Sequence, residues 1–119
     1  GHQVGDDALR VVAETIKKTI RKTDVAGRYG GEEFAVILPN TDIESTLPVY
    51  QSIQRVLESS PLVYGDVSIQ LTASAGLSTT VIVDEDHAQR LFKFADELLY
   101  EAKSAGRNRV EYKTLQEKL

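Results

Sequence analysis

Apolar residues repeat at helical spacing in three segments of the chain. Positions three and four residues apart predict helices over about residues 7–22, 46–58 and 87–105, and Gly106 is placed to end the third helix. Asp6 or Asp7 could cap the first of them. Each helix is therefore expected to bury one face. The positions predicted on these faces are Leu9, Val12, Ala13, Ile16 and Ile20, then Leu47, Tyr50, Ile53, Val56 and Leu57, then Leu91, Ala95, Leu98 and Ala102.

Segments that favour β structure lie between the predicted helices. Segments 25–29 and 33–38 flank Gly30-Gly31 and predict a hairpin, and segments 62–64 and 67–80 flank Gly65-Asp66 and predict a second one. A last strand is expected around residues 109–112. The order helix, hairpin, helix, hairpin, helix, strand predicts an α+β domain with a mainly antiparallel sheet and flanking helices.

Composition narrows the class of protein. The 119 residues suffice for one domain with a single core, and the hydrophobic fraction of 41% is ordinary for a soluble globular chain. Because cysteine is absent, disulfides, thiolate nucleophiles and cysteine-based zinc sites are excluded. The net charge of -4 argues against broad nucleic-acid binding but permits a nucleotide substrate. No apolar run approaches the roughly 18 residues of a membrane span, so none is expected in this chain.

The residues best suited to chemistry lie at the tip of the first predicted hairpin. The segment reads Arg28-Tyr29-Gly30-Gly31-Glu32-Glu33-Phe34. Two glycines can adopt positive φ and let the backbone approach a phosphate without an intervening Cβ. The two carboxylates after them offer hard oxygen ligands for Mg²⁺ beside a triphosphate. A tight turn with two solvated acids fits the same residues equally well.

This motif and other segments in the same order resemble the GGDEF domain family, the catalytic module of diguanylate cyclases, in its GGEEF form. Arg21-Lys22-Thr23-Asp24 is similar to the family's inhibitory RxxD motif and stands five residues before the glycine pair. Segments 1–6, 71–77 and 95–110 extend the resemblance over nearly the whole chain. The resemblance implies a ferredoxin-like, nucleotidyl-cyclase-like fold.

The resemblance also implies a role for each matching residue around the glycine pair. Glu32 would be the catalytic residue that coordinates Mg²⁺ or Mn²⁺, and Glu33 would be a second carboxylate near the metal. Gly30 and Gly31 would contact the GTP substrate through their backbone. Asp6 would accept hydrogen bonds from guanine, although its spacing fits a helix cap equally well.

Four further residues receive roles from the resemblance. Lys103 and Arg107, four positions apart on the predicted third helix, would bind the terminal phosphates of GTP; complementation of the helix dipole is the alternative. Arg21 and Asp24 would bind cyclic di-GMP in an inhibitory site. Arginine offers a planar fork for this purpose, and aspartate accepts guanine N–H groups.

The implied activity is the condensation of two GTP molecules into cyclic di-GMP, with release of pyrophosphate, by a homodimer in bacterial signalling. The location expected from the resemblance is the cytoplasm, including the cytoplasmic domain of a membrane-bound receptor. A non-catalytic GGDEF module that senses GTP or cyclic di-GMP is the alternative function. A third possibility is another nucleotidyl-cyclase-like or polymerase-palm-like domain, but such a domain would not explain the spacing between the RxxD motif and the glycine pair.

The family places a strand with a metal-binding aspartate upstream of the segment that resembles Gly1–Asp6. Residues 1–119 are therefore expected to be the C-terminal portion of a single GGDEF domain whose first strand is absent from this chain, with 115–119 as a frayed tail. On that hypothesis the chain alone is inactive, and its sheet is completed only by a strand from elsewhere.

Overall fold

The structure is a computed structural model that describes residues 2–82 and 84–114. The tail expected at residues 115–119 lies outside the described residues. Helices and short strands of both orientations confirm the α+β class. Along the chain, the elements are α1 (His2–Thr19), β1 (Val25–Arg28), β2 (Phe34–Ile37), α2 (Ile43–Glu58), β3 (Leu62–Tyr64), β4 (Val67–Ile69), β5 (Ala75–Thr79), α3 (Glu85–Ser104) and β6 (Val110–Thr114).

Contacts between residues divide the described chain into two units. The first unit contains the described residues up to Asn40 together with Gln51–Thr72. The second contains Thr41–Tyr50 together with the described residues from Ala73 onward. The prediction of a single domain stays a prediction. No helix within residues 2–82 or 84–114 has both the length and the apolar character that a membrane crossing requires.

Helix α1 of the first unit begins earlier than its sequence predicts. It starts at His2 and continues through Gly5, so Asp6 and Asp7 lie inside the helix and neither caps it. The prediction of a capping aspartate is therefore wrong, because the preceding residues extend the helix on its N-terminal side. Ile16 is buried, in agreement with the predicted apolar face.

Both hairpins of the first unit form where the glycines predict them. Strands β1 and β2 pair in antiparallel register from Val25↔Ile37 to Arg28↔Phe34. Strands β3 and β4 pair over three positions, and Gly65 between them has a φ of 61°. The single strand predicted over residues 67–80 is wrong. Because β3 is only three residues long, it offers β4 no partner beyond Ile69, and β5 pairs with another strand.

The second unit is built on a strand–helix–strand arrangement. Strands β5 and β6 are parallel, which requires a long connection such as α3 between them. Leu98 and Ala102 are buried, as the apolar spacing of this helix predicts. A Cβ added to Gly76 of β5 would overlap the carbonyl oxygen of Ala95 and the amide nitrogen of Leu99. The backbones of β5 and α3 therefore approach each other too closely for any side chain at this position.

Candidate functional site

The turn between β1 and β2 is closed by backbone hydrogen bonds. The N–H of Glu33 donates to the Gly30 carbonyl at 3.1 Å, and the N–H of Tyr29 donates to the Glu33 carbonyl at 2.8 Å. Gly30 and Gly31 have φ values of 63° and 39°, a region that residues with a Cβ rarely adopt. A Cβ at either glycine would meet nothing within 4 Å. The backbone conformation, rather than crowding, therefore requires glycine, and this side of the turn is open to a ligand.

Glu32 is the residue of this turn best placed to hold a metal ion. Its side chain is exposed, and within the described residues it has neither a hydrogen bond nor an ion pair. Glu33, half-buried, directly precedes β2. In the part of the chain that the structure describes, no three His, Asp or Glu side chains are arranged so that they could hold a metal ion together. Because Mg²⁺ commonly binds one or two carboxylates together with substrate phosphates and water, the donors at this turn fit a metal shared with a nucleotide.

Arg28, at the end of β1, holds the turn from one side. Its Nε donates to the Gly31 carbonyl oxygen at 2.8 Å, and its Nη2 donates to the same oxygen. The sequence pattern alone assigns this arginine no role. The sequence feature that could have identified this role is a cation two positions before a glycine pair, at the point where a predicted strand ends.

Asp6 lies in α1 with its side chain exposed. It lines an open cleft of about 850 Å³ within the first unit, between α1 and the β1–β2 hairpin. Asp24 and Arg28 line the same cleft, together with the cations Arg10 and Lys17 and with apolar residues of α1. The structure therefore brings Asp6, Asp24 and Arg28 to one cleft, with charges of both signs along its wall.

The neighbouring carboxylate of Asp7 is held by three side chains. It accepts hydrogen bonds from the Tyr64 hydroxyl at 2.6 Å, from Gln3 Nε2 at 3.0 Å and from Arg10 Nη1 at 3.3 Å. The bond from Tyr64 is the main cause that lowers the pKa of Asp7, and the same bond raises the pKa of Tyr64. Asp7 thus fastens α1 to the β3–β4 hairpin, whereas the carboxylate of Asp6 beside it is exposed.

The RxxD segment forms a closed turn between α1 and β1. Asp24 accepts the backbone N–H of Arg21 at 2.8 Å and its guanidinium at 3.3 Å and 3.2 Å. Burial raises the pKa of Asp24, but the hydrogen bonds from Arg21 outweigh it and the pKa is lowered. The side chain of Asp24 is only 2% exposed, and that of Arg21 is 61% exposed. Arg21 is accessible to a ligand, and Asp24 holds it in place.

Lys103 and Arg107 do not share a helix, so that prediction is wrong. Helix α3 ends at Ser104, and Gly106 follows with a φ of 125°. The N–H of Gly106 donates to the Lys103 carbonyl and that of Arg107 to the Ala102 carbonyl, which is a Schellman ending. Arg107 therefore lies past the helix with a φ of 61°, and Lys103 remains in the last helical turn.

The sequence-predicted site residues are distributed over the two units. Lys103 and Arg107 belong to the second unit. The first unit contains Asp6, Arg21, Asp24, Gly30, Gly31, Glu32 and Glu33.

The family follows from comparison with known proteins. The sequence model of the family described as "Diguanylate cyclase, GGDEF domain" matches residues 1–109, so the chain belongs to the GGDEF domain family. Diguanylate cyclase A of Treponema denticola is 41% identical over 110 residues, which are 92% of this chain and 29% of that protein. Response regulator PleD of Caulobacter vibrioides is 38% identical over 112 residues, which are 92% of this chain and 24% of that protein. The chain therefore spans less than a third of the length of these relatives.

Solved structures agree with this assignment. Diguanylate cyclase SiaD of Pseudomonas aeruginosa, in complex with its activator SiaC, matches with a TM-score of 0.84 and 30% identity over 95% of this chain and 43% of that one. The active GGEEF domain of a diguanylate cyclase from Vibrio cholerae matches with a TM-score of 0.80 and 32% identity over 98% of this chain and 72% of that one. The GGDEF domain of DgcB from Caulobacter crescentus, in complex with c-di-GMP, matches with a TM-score of 0.78 and 33% identity over 94% and 66% of the two chains. These matches confirm both the resemblance and the α+β fold.

Proposed function

We propose that the chain is part of the catalytic domain of a diguanylate cyclase, which condenses two GTP molecules into cyclic di-GMP and releases two pyrophosphates. The observation that carries the proposal is the intact glycine turn. Gly30 and Gly31 adopt positive φ, and Glu32 next to them is exposed without a partner in the described residues. An exposed carboxylate beside this turn is suited to bind a metal–nucleotide complex. The relatives of the chain include proteins named diguanylate cyclases.

Glu32 would hold the divalent metal ion, Mg²⁺ or Mn²⁺, with Glu33 as a second carboxylate near it. When bound, such an ion neutralises the triphosphate and lowers the pKa of the attacking 3′-hydroxyl. The residues of the chain position the reacting groups. Gly30 and Gly31 leave the backbone of the turn open, so that a phosphate can lie directly against it.

Recognition of the rest of GTP is assigned to three side chains. The exposed carboxylate of Asp6 accepts hydrogen bonds from N1 and N2 of guanine, a donor pair that adenine lacks. Lys103 and Arg107 supply positive charge for the terminal phosphates. Their separate backbone settings, one in the last turn of α3 and one beyond it, support contacts with different phosphate oxygens.

Catalysis on this proposal requires a homodimer. Each domain binds one GTP, and the 3′-hydroxyl of each nucleotide attacks the α-phosphate of the other. A two-fold symmetric product fits a two-fold symmetric pair of half-sites. Holding the two substrates together in a reactive orientation can lower the activation barrier by about 7–11 kcal/mol. Cyclic di-GMP that accumulates would bind the RxxD segment, through Arg21 and Asp24, rather than the glycine turn.

Turnover of GTP by the intact protein that carries this chain tests the proposal. Incubation with GTP and Mg²⁺, followed by liquid chromatography, should yield cyclic di-GMP with two pyrophosphates for each product molecule. ATP in place of GTP is the matched control and should give no cyclic product. Binding of GTP or cyclic di-GMP without turnover would instead favour a regulatory sensor. A protein that binds neither nucleotide would contradict both functions.

A further inference from the structure

Arg28 grips the glycine turn through a single acceptor. Two N–H groups of its guanidinium converge on the Gly31 carbonyl oxygen, and the planar guanidinium fixes the direction of that contact. The backbone of Arg28 is itself fixed, because it is the last residue of β1 and pairs with Phe34 of β2. The guanidinium therefore connects the rigid end of the hairpin to the middle of a turn made of two glycines.

The Gly31 carbonyl and the Glu32 N–H belong to one peptide group. In a trans peptide these two bonds point in opposite directions, so the contact with Arg28 turns the Glu32 N–H away from the guanidinium. Among the described residues, none accepts a hydrogen bond from this N–H. A carbonyl that accepts from a cation also polarises its peptide, which strengthens the N–H as a donor. The backbone N–H of Glu32 is thus a polarised donor without an acceptor among the described residues, and the carboxylate of Glu32 is exposed.

We propose that Arg28 is a positioning residue for the glycine turn. By holding the Gly31 carbonyl, it aims the Glu32 N–H at a phosphate oxygen of the bound nucleoside triphosphate and keeps the Glu32 carboxylate where it would hold the divalent metal ion. Without Arg28, Gly31 can change its ψ angle at little steric cost, and both groups lose their fixed direction. This role rests on the proposed function, which it deepens.

Amide spectra of the nucleotide-free protein test the first half of the proposal. In the intact ¹⁵N-labelled protein, Arg28→Ala should shift and broaden the amide signals of Gly31 and Glu32. Arg28→Lys should restore them in part, because lysine can still donate to the carbonyl. Arg55→Ala is the matched control: Arg55 is exposed on α2 and donates to Ser52 of its own helix. Unchanged signals of Gly31 and Glu32 in Arg28→Ala would overturn the positioning role.

Kinetics with GTP and Mg²⁺ test the second half. Arg28→Ala should lower kcat by about tenfold to a hundredfold through misplacement of Glu32, and should raise the Mg²⁺ concentration needed for half-maximal rate. The KM for GTP should change less than kcat does, and Arg28→Lys should recover part of kcat. A raised KM with an unchanged kcat would mean that Arg28 contacts the nucleotide directly, and would overturn the proposal. A wild-type protein without turnover would overturn the proposed function instead, and the nucleotide-free spectra would still decide whether Arg28 holds the turn.

Discussion

The hydroxyl of Tyr64 donates a 2.6 Å hydrogen bond to the carboxylate of Asp7 and so fastens the β3–β4 hairpin to α1. This contact joins residues 57 positions apart in the chain. It lowers the pKa of Asp7 and raises the pKa of Tyr64. The pair therefore stabilises the folded protein when Asp7 is ionised and Tyr64 is protonated.

The stability of the folded protein should fall at both ends of the pH scale through this pair. The contribution of Asp7 is present above its unfolded pKa of about 3.9 and is lost as the pH falls through the lower folded pKa. The contribution of Tyr64 is present below its unfolded pKa of about 10 and is lost as the pH rises through the higher folded pKa. Tyr64→Phe should lower the melting temperature by a few degrees at neutral pH and weaken both dependences, as circular dichroism can measure.

Tyr100→Phe provides the comparison for this experiment. Tyr100 is 73% exposed on α3, so loss of its hydroxyl should leave the melting temperature unchanged. Equal melting temperatures for Tyr64→Phe and the wild type at neutral pH would show that the bond to Asp7 contributes nothing.

Gly76→Ala should destabilise the second unit strongly. The added methyl group would overlap backbone atoms of Ala95 and Leu99, which can move only if α3 shifts, and overpacking of this kind costs about 1–3 kcal/mol or more. Gly5→Ala is the control, since a Cβ at Gly5 in α1 meets nothing within 4 Å. That change should stabilise the protein by roughly 0.5–1 kcal/mol. Urea denaturation measures both, and a Gly76→Ala protein of wild-type stability would refute the close approach of β5 and α3.

Glu32→Gln should reduce turnover strongly without affecting the fold. Weakening of the metal site should slow the formation of cyclic di-GMP by about a hundredfold or more, because metal ions stabilise such transition states by several kcal/mol. The melting temperature should not change, since the Glu32 side chain has no partner in the described residues. Glu44→Gln, an exposed change in the first turn of α2, should keep full activity. Full activity of Glu32→Gln would end the assignment of Glu32 to the metal.

The two residues of the RxxD segment should respond differently to truncation. Arg21→Ala should relieve inhibition by cyclic di-GMP and leave the initial rate nearly unchanged, and it should lower the melting temperature less than Asp24→Ala does, because Asp24 keeps its hydrogen bond from the backbone N–H of residue 21. Asp24→Ala should relieve inhibition and also lower the melting temperature, because buried Asp24 accepts the backbone N–H of Arg21. Inhibition assays and thermal melts separate these effects. The exposed Lys22 serves as an alanine control, and wild-type inhibition in Arg21→Ala would contradict the inhibitory role.

Local patterns in the sequence predicted the features that depend on neighbouring residues. Apolar spacing identified the buried Ile16, Leu98 and Ala102, since helical periodicity fixes which side chains share a face. The glycine pair identified the first hairpin and its positive φ values, since few other residues adopt them. Local chemistry alone was sufficient for these elements.

The features that the sequence did not predict depend on distant or directional contacts. The partner of Asp7 is Tyr64, and no local pattern connects them. The role of Arg28 depends on where its guanidinium points, which its position in the sequence does not specify. The four-residue spacing of Lys103 and Arg107 predicts that both lie on one helix, whereas α3 ends at Ser104 and Gly106 follows with positive φ.

The hydrogen bonds that follow α3 also hold the backbone of the segment that carries Arg107. The Arg107 N–H donates to Ala102, the Asn108 N–H donates to the Ser74 hydroxyl, and the Arg109 carbonyl accepts from Ala75. The backbone of three consecutive residues is therefore held by hydrogen bonds in the folded protein. An anion that binds Arg107 has to order only the side chain, and affinity gained through such preorganisation requires no additional contact.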